Sequence, residues 1–127
     1  QRQIAELQRI DRAVRAHEAA HQAAAGGLGG GVSYSYTTGP DGRRYATGGE
    51  VPIDTGAERT PEATIAKMAQ VRAAALAPGD PSPQDLAVAA RASQIEARAR
   101  AELMQQRRTD SDLPLRQTAA RKAYATT

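Results

Sequence analysis

Five of the six residues from Gly26 to Gly31, "GGLGGG", are glycine. Glycine loses more backbone freedom on ordering than any other residue and holds neither helix nor strand well, so the run divides the chain into elements that form separately. Before it, Ile4, Leu7, Ile10 and Val14 recur at helical spacing with charged residues between them, and residues 1 to about 25 read as one amphipathic helix. Continuing that stripe by threes and fours reaches His17 and His21, the two histidines of the chain. Both are expected in the last two turns before the glycine exit.

After the glycines the period changes from helical to alternating. Val32, Tyr34 and Tyr36 alternate with Ser33, Ser35 and Thr37, which signals a strand. Gly39-Pro40-Asp41-Gly42 reads as a reversal, a type I turn with Gly42 at the left-handed bulge position, so Arg43 to Thr47 returns antiparallel and Thr37 pairs with Tyr45. A third short extended piece is expected from Glu50 to Asp54, confined to an edge by Pro52. Thr60 then caps a helix that begins at Pro61 and buries Ile65, Met68, Val71 and Leu76 before Pro78. Ser82 caps the next, with Pro83 first and Asp85 in its first turn, running through Leu86, Ala89, Ala90, Ile95 and Leu103 to about Arg107. Residues 108–127 lack a clear apolar stripe and are expected to be a mobile or loosely helical tail. The fold class is therefore α+β, a long helix, a hairpin or small antiparallel sheet and two further helices, in one domain over residues 1–107.

The core of such a domain must be thin. The 127 residues include no Phe or Trp, and alanine supplies roughly a fifth of them, so the helices must approach closely through small side chains. With no cysteine, any zinc must sit on nitrogen and oxygen ligands. No apolar run approaches the ~20 residues of a membrane span. The net charge of +3 is spread among acids along helices without aromatic stacking residues, which argues against nucleic-acid binding. The chain opens on Gln1, which is consistent with its being part of a longer protein.

His17-Glu18-Ala19-Ala20-His21 is an HExxH pattern. Residues four apart share a helix face, so both imidazoles can take adjacent corners of a zinc site. Glu18, turned about 100° from His17, sits beside the metal, where it can accept a proton from a water that attacks a peptide carbonyl. A third ligand is required, and it is not the histidine of the metzincin pattern, because Ala24 and Gly27 stand at the positions of its glycine and third histidine. Asp41 is consumed by the turn. Asp54 and Glu58 look like loop residues, and the acids of the last helix also remain. Glu50 is favoured, since Gly48 and Gly49 let the backbone approach the site and Val51 follows at once. Glu62 is the runner-up, on a helix but also suited to its dipole. Any tyrosine that donates to the oxyanion must come from one sheet face, because Tyr45 lies opposite Tyr34 and Tyr36.

The stretches "RAHEAAH", "GGVSYSYTTGPDGRRYATGGEVPIDT" and the helical segment from "PEATIAKMAQ" to "ARARAEL" resemble the bacterial SprA-related family of metalloprotease catalytic domains, over roughly residues 13 to 104. The resemblance implies a zincin-like zinc peptidase acting on a peptide or protein substrate, with its two histidines and glutamate at His17, His21 and Glu18. The competing expectation is a non-catalytic, zinc-stabilised helical interaction module. The two differ at Glu18, for which a structural site has no use.

Overall fold

A computed structural model describes residues 1–125, with side chains described through residue 111. The elements are α1 (Arg2–Ala25), a single 3-10 turn (Gly26–Leu28), β1 (Ser33–Thr38), β2 (Arg44–Glu50), α2 (Pro61–Ala75) and α3 (Pro83–Ala125). The chain is α+β, three helices with one two-stranded antiparallel sheet. No helix among the described residues is long and apolar enough to cross a membrane.

α1 ends where the glycines begin. Gly26 has φ of 55°, a left-handed conformation that favours glycine at a helix exit, and its N–H donates to the Gln22 carbonyl. The Ala25 carbonyl left over at that end accepts from the Gln70 side chain of α2 at 2.9 Å. The glycine segment is also a pairing partner. Gly30 N–H donates to the Pro52 carbonyl and Asp54 N–H to the Leu28 carbonyl, each at 2.9 Å, and Gly29 bridges Ile53. The extended piece anticipated at residues 50–54 therefore pairs with the glycine run. A Cβ on Gly30 would meet Pro52 at 2.8 Å, so this pairing needs glycine there.

The hairpin closes through Gly39 to Gly42, with Gly42 at φ 79° and Thr37 opposite Tyr45, as the turn residues predict. A register shift follows beyond Tyr36↔Ala46, so Ser35 pairs with Gly48 and Tyr34 with Gly49. β2 lies along α1, and Tyr45 and Ala46 of the strand are buried.

α1 also packs on α2, and α2 on α3. The core is Met68, Val71 and Ala92, with Leu28, Ile53, Val88 and Ile95 packed around it. Three expected core positions are exposed, Leu76 (41 %), Leu86 (52 %) and Ala90. Leu76 lies past the last turn of α2, and the packed face of α3 runs through Val88, Ala89, Ala92, Ile95 and Ala99. Small side chains set these contacts, and Ala25, Ala74, Ala75, Ala92 and Ala99 are all buried. Lys67 is buried too, and Asp54 (2.9 Å) and Glu58 (3.2 Å) pair with it, fastening the loop before α2 to that helix. α3 continues without a break through Ala125, past the boundary expected near Arg107, and the side chains beyond residue 111 lie outside the described residues.

Asp11 joins the helix to the sheet, because its Oδ2 accepts the buried Ala46 N–H at 2.7 Å while its Oδ1 accepts from Arg15. The Ala46 N–H, and after it Arg15, hold the Asp11 carboxyl below its ordinary value. A depressed carboxylate contributes stability that is complete above the unfolded value of about 3.9 and lost as the pH falls through the folded one. Asp11→Ala should therefore melt several degrees below the parent at pH 7, and the gap should narrow toward pH 3. A gap unchanged between thermal melts at these two pH values would refute the link.

Candidate metal centre

Helical spacing stacks His17 and His21 one turn apart, with ring centroids separated by 4.9 Å and Nε2 atoms by 3.2 Å. The third member of the group comes from α3. Asp85 Oδ2 lies 3.0 Å from Nε2 of each histidine, and among the described residues these three form a set able to hold a metal ion. Asp85 is held by a reciprocal cap. Ser82 N–H donates to Asp85 Oδ2 at 2.9 Å, and Asp85 N–H donates to Ser82 Oγ at 3.0 Å.

The outer contacts of the imidazoles decide which atoms face inward. His21 Nδ1 is 2.8 Å from the Ala74 carbonyl, which can only accept, so Nδ1 carries the hydrogen and the neutral ring offers a lone pair at Nε2. His17 Nδ1 faces Asp80 Oδ1 at 3.3 Å, which orients it in the same sense. Two imine nitrogens and a carboxylate oxygen thus converge, an arrangement that repels unless a cation or added protons lie among them. Zinc bonds of about 2.0–2.1 Å at tetrahedral angles set ligand atoms roughly 3.3 Å apart. The observed separations of 3.0, 3.0 and 3.2 Å come close to that.

Burial disfavours the charged form of His17, but Asp85 and Asp80 outweigh it and raise its pKa above the usual value. Burial likewise pushes the Asp85 carboxyl up, and the Ser82 N–H, His17 and the Ser82 hydroxyl more than offset it, leaving the carboxylate favoured. Glu18 differs. It is only 4 % exposed, its Oε2 has no hydrogen-bond partner among the described residues, and burial raises its pKa despite the opposing influence of His21 and His17. β2 lies directly against it. A Cβ on Gly49 would stand 3.0 Å from Glu18 Cγ and 3.2 Å from Tyr34 Cδ1, so glycine permits this approach.

His17, Glu18 and Asp85 open onto a cleft of about 280 Å³ between the end of β2 and the start of α3. Glu50 lines this cleft but is exposed at its rim and is not in the histidine group. The glycines do bring the strand close, and it is Gly49 that abuts Glu18, while the Glu50 carboxylate stays outside the group formed by His17, His21 and Asp85. Glu62 is farther. His21 bonds the carbonyl end of α2, whereas Glu62 is exposed in its first turn, about 18 Å along the axis at 1.5 Å per residue. None of Tyr34, Tyr36 and Tyr45 lines the cleft. The Tyr45 hydroxyl donates to Asp41, and Arg15 and Arg44 stack over Tyr34 and Tyr36.

The sequence signal for Asp85 was the Ser82-x-x-Asp85 cap, which accounts for a carboxylate there without need of a metal. Asp80 carried no signal beyond its place in a turn.

No curated protein and no solved structure matches the chain. The profile of one family does, over residues 1–120, and the chain accordingly belongs to the SprA-related family.

Proposed function

We propose that the protein is a zinc-dependent peptidase of zincin-like type in which His17, His21 and Asp85 hold the metal and Glu18 is the general base. One observation carries this reading. The three inward lone pairs converge at the wall of an open cleft, onto which His17 and Asp85 open together with Glu18, whose buried Oε2 has no partner among the described residues. Zinc bound by three protein groups supplies Lewis acidity, bringing the pKa of a water toward about 7 and polarising a peptide carbonyl.

The residues around it do the rest. Ala74 and Asp80 hold the rings with Nε2 inward, and the Ser82 cap holds the Asp85 oxygen against both. Glu18 takes the proton of the attacking water and returns it to the leaving amine, a task for which burial raises its basicity. The third ligand is helix-borne, as it is in Glu-type zincins.

The burial of Glu18 also separates this reading from a zinc-stabilised interaction module. A solitary carboxylate oxygen without a partner costs stability, which a purely structural site has no reason to keep.

Equilibrium dialysis should find one zinc per chain, lost in His21→Ala and weakened at least about tenfold in Asp85→Ala, with a smaller effect from Glu50→Ala. Equal effects at positions 50 and 85 would remove Asp85 from the ligand set.

Glu18→Gln should keep both zinc and fold while losing hydrolysis of unfolded protein by roughly a hundredfold or more. If the parent and the variant cleave a casein substrate equally, Glu18 is not the base. Zinc binding without cleavage by either form would favour the interaction module.

A further inference from the structure

The cleft at the histidines does not end there. Thr55 and Arg91 line both it and a second cavity of about 660 Å³, so the two are successive parts of one groove along α3, walled on the other side by the loop at residues 55–60. The electrostatic character changes along it. Beside the histidines the groove carries Glu18, Glu50 and Asp85, Arg91 stands where the two parts meet, and farther along it carries Arg59 and Arg98. Those three arginines are exposed and make no ion pair among the described residues. Of the acids in that far part, Glu58 already faces Lys67, which leaves Glu102 at the distal end. Half-buried Ile95 lies on the wall between Arg91 and Arg98.

The spacing fits an extended chain. At 1.5 Å per helical residue, Arg91 is about 9 Å beyond Asp85 along α3, and Arg98 about 10 Å beyond Arg91. An extended peptide advances at most ~3.3–3.6 Å per residue, so each interval corresponds to about three of its residues.

We infer that this groove holds an extended, acidic peptide segment, with Arg91 taking a carboxylate about three residues from the bond at the histidines and Arg98 one about three residues beyond. The inference rests on the peptidase reading for the position of the scissile bond and on the groove alone for the charge preference. Arg91 and Arg98 act as specificity determinants, since unpaired guanidiniums on a shared wall attract carboxylates and repel basic side chains. Single-stranded nucleic acid is disfavoured, because no aromatic side chain lines the groove to stack bases.

The test uses the zinc-loaded Glu18→Gln protein, so that binding is read without turnover. Two fluorescent peptides of about ten residues are compared by anisotropy, alike except that one bears Glu and the other Lys at every third position. The acidic peptide should bind at least about tenfold tighter at low salt, with the advantage shrinking as salt rises. Arg91→Glu with Arg98→Glu should abolish or invert the preference, and Arg91→Gln with Arg98→Gln should flatten it at an unchanged melting temperature. Equal affinities, a preference that survives the charge reversal, or tighter binding of a single-stranded oligonucleotide would each overturn the inference. The two readings fail separately. Cleavage by the parent without acidic preference would remove this proposal and leave the peptidase, whereas an arginine-dependent preference in a parent that cleaves nothing would do the reverse.

Discussion

Helices that meet through alanine can come closer than helices that meet through leucine or phenylalanine, and the remaining geometry depends on that approach. Ala25 of α1 and Ala74 and Ala75 of α2 are buried where the two helices pack. With no bulky side chain holding the axes apart, the His21 ring reaches the Ala74 backbone itself at 2.8 Å. A larger residue would force a longer interaxial distance and break that contact before it disturbed the secondary structure. The scarcity of large apolar residues, a weakness for a core, is what lets a backbone carbonyl set the tautomer of a buried histidine.

Polar groups do much of the joining that aromatic side chains do elsewhere. Asp11 ties α1 to β2, Lys67 ties α2 to the loop before it, Gln70 closes the end of α1, and Arg72 of α2 reaches Glu96 of α3 at 2.6 Å. The Ala46 N–H, the Lys67 ammonium and the Ala25 carbonyl are groups that would otherwise be left without a partner at an element's end or face. Such contacts are directional, so they fix how elements meet more sharply than a thin apolar core could.

The elements were legible in the sequence because they rest on local chemistry. Glycine stops α1, Pro40 to Gly42 turns the hairpin, and Thr60 and Ser82 start α2 and α3 as their hydroxyls require. The pairing of His17 with His21 was legible for the same reason, being a matter of helical pitch. Asp85 was visible only as a cap, because its approach to α1 depends on how α3 is returned by α2, and nothing local encodes that path. Glu50 was favoured from chain connectivity, which does bring its strand to the site. Connectivity places a backbone but not a side chain, and the register shift near Thr47 together with strand alternation sets Gly49 against Glu18.

The cap at α3 has a further consequence for how this chain can change over generations. One oxygen of Asp85 closes the first turn of a helix and also faces two imidazoles, so two separate demands fall on the length of one side chain. Exchanging aspartate for glutamate is among the mildest substitutions at an ordinary surface position. Here the added methylene would displace the oxygen from Ser82 and from the histidines together, and no compensating change at a single neighbour restores both. Position 85 is therefore intolerant of a longer side chain, and only a residue of the length of aspartate can meet both demands without a rebuilt turn at residues 79–82.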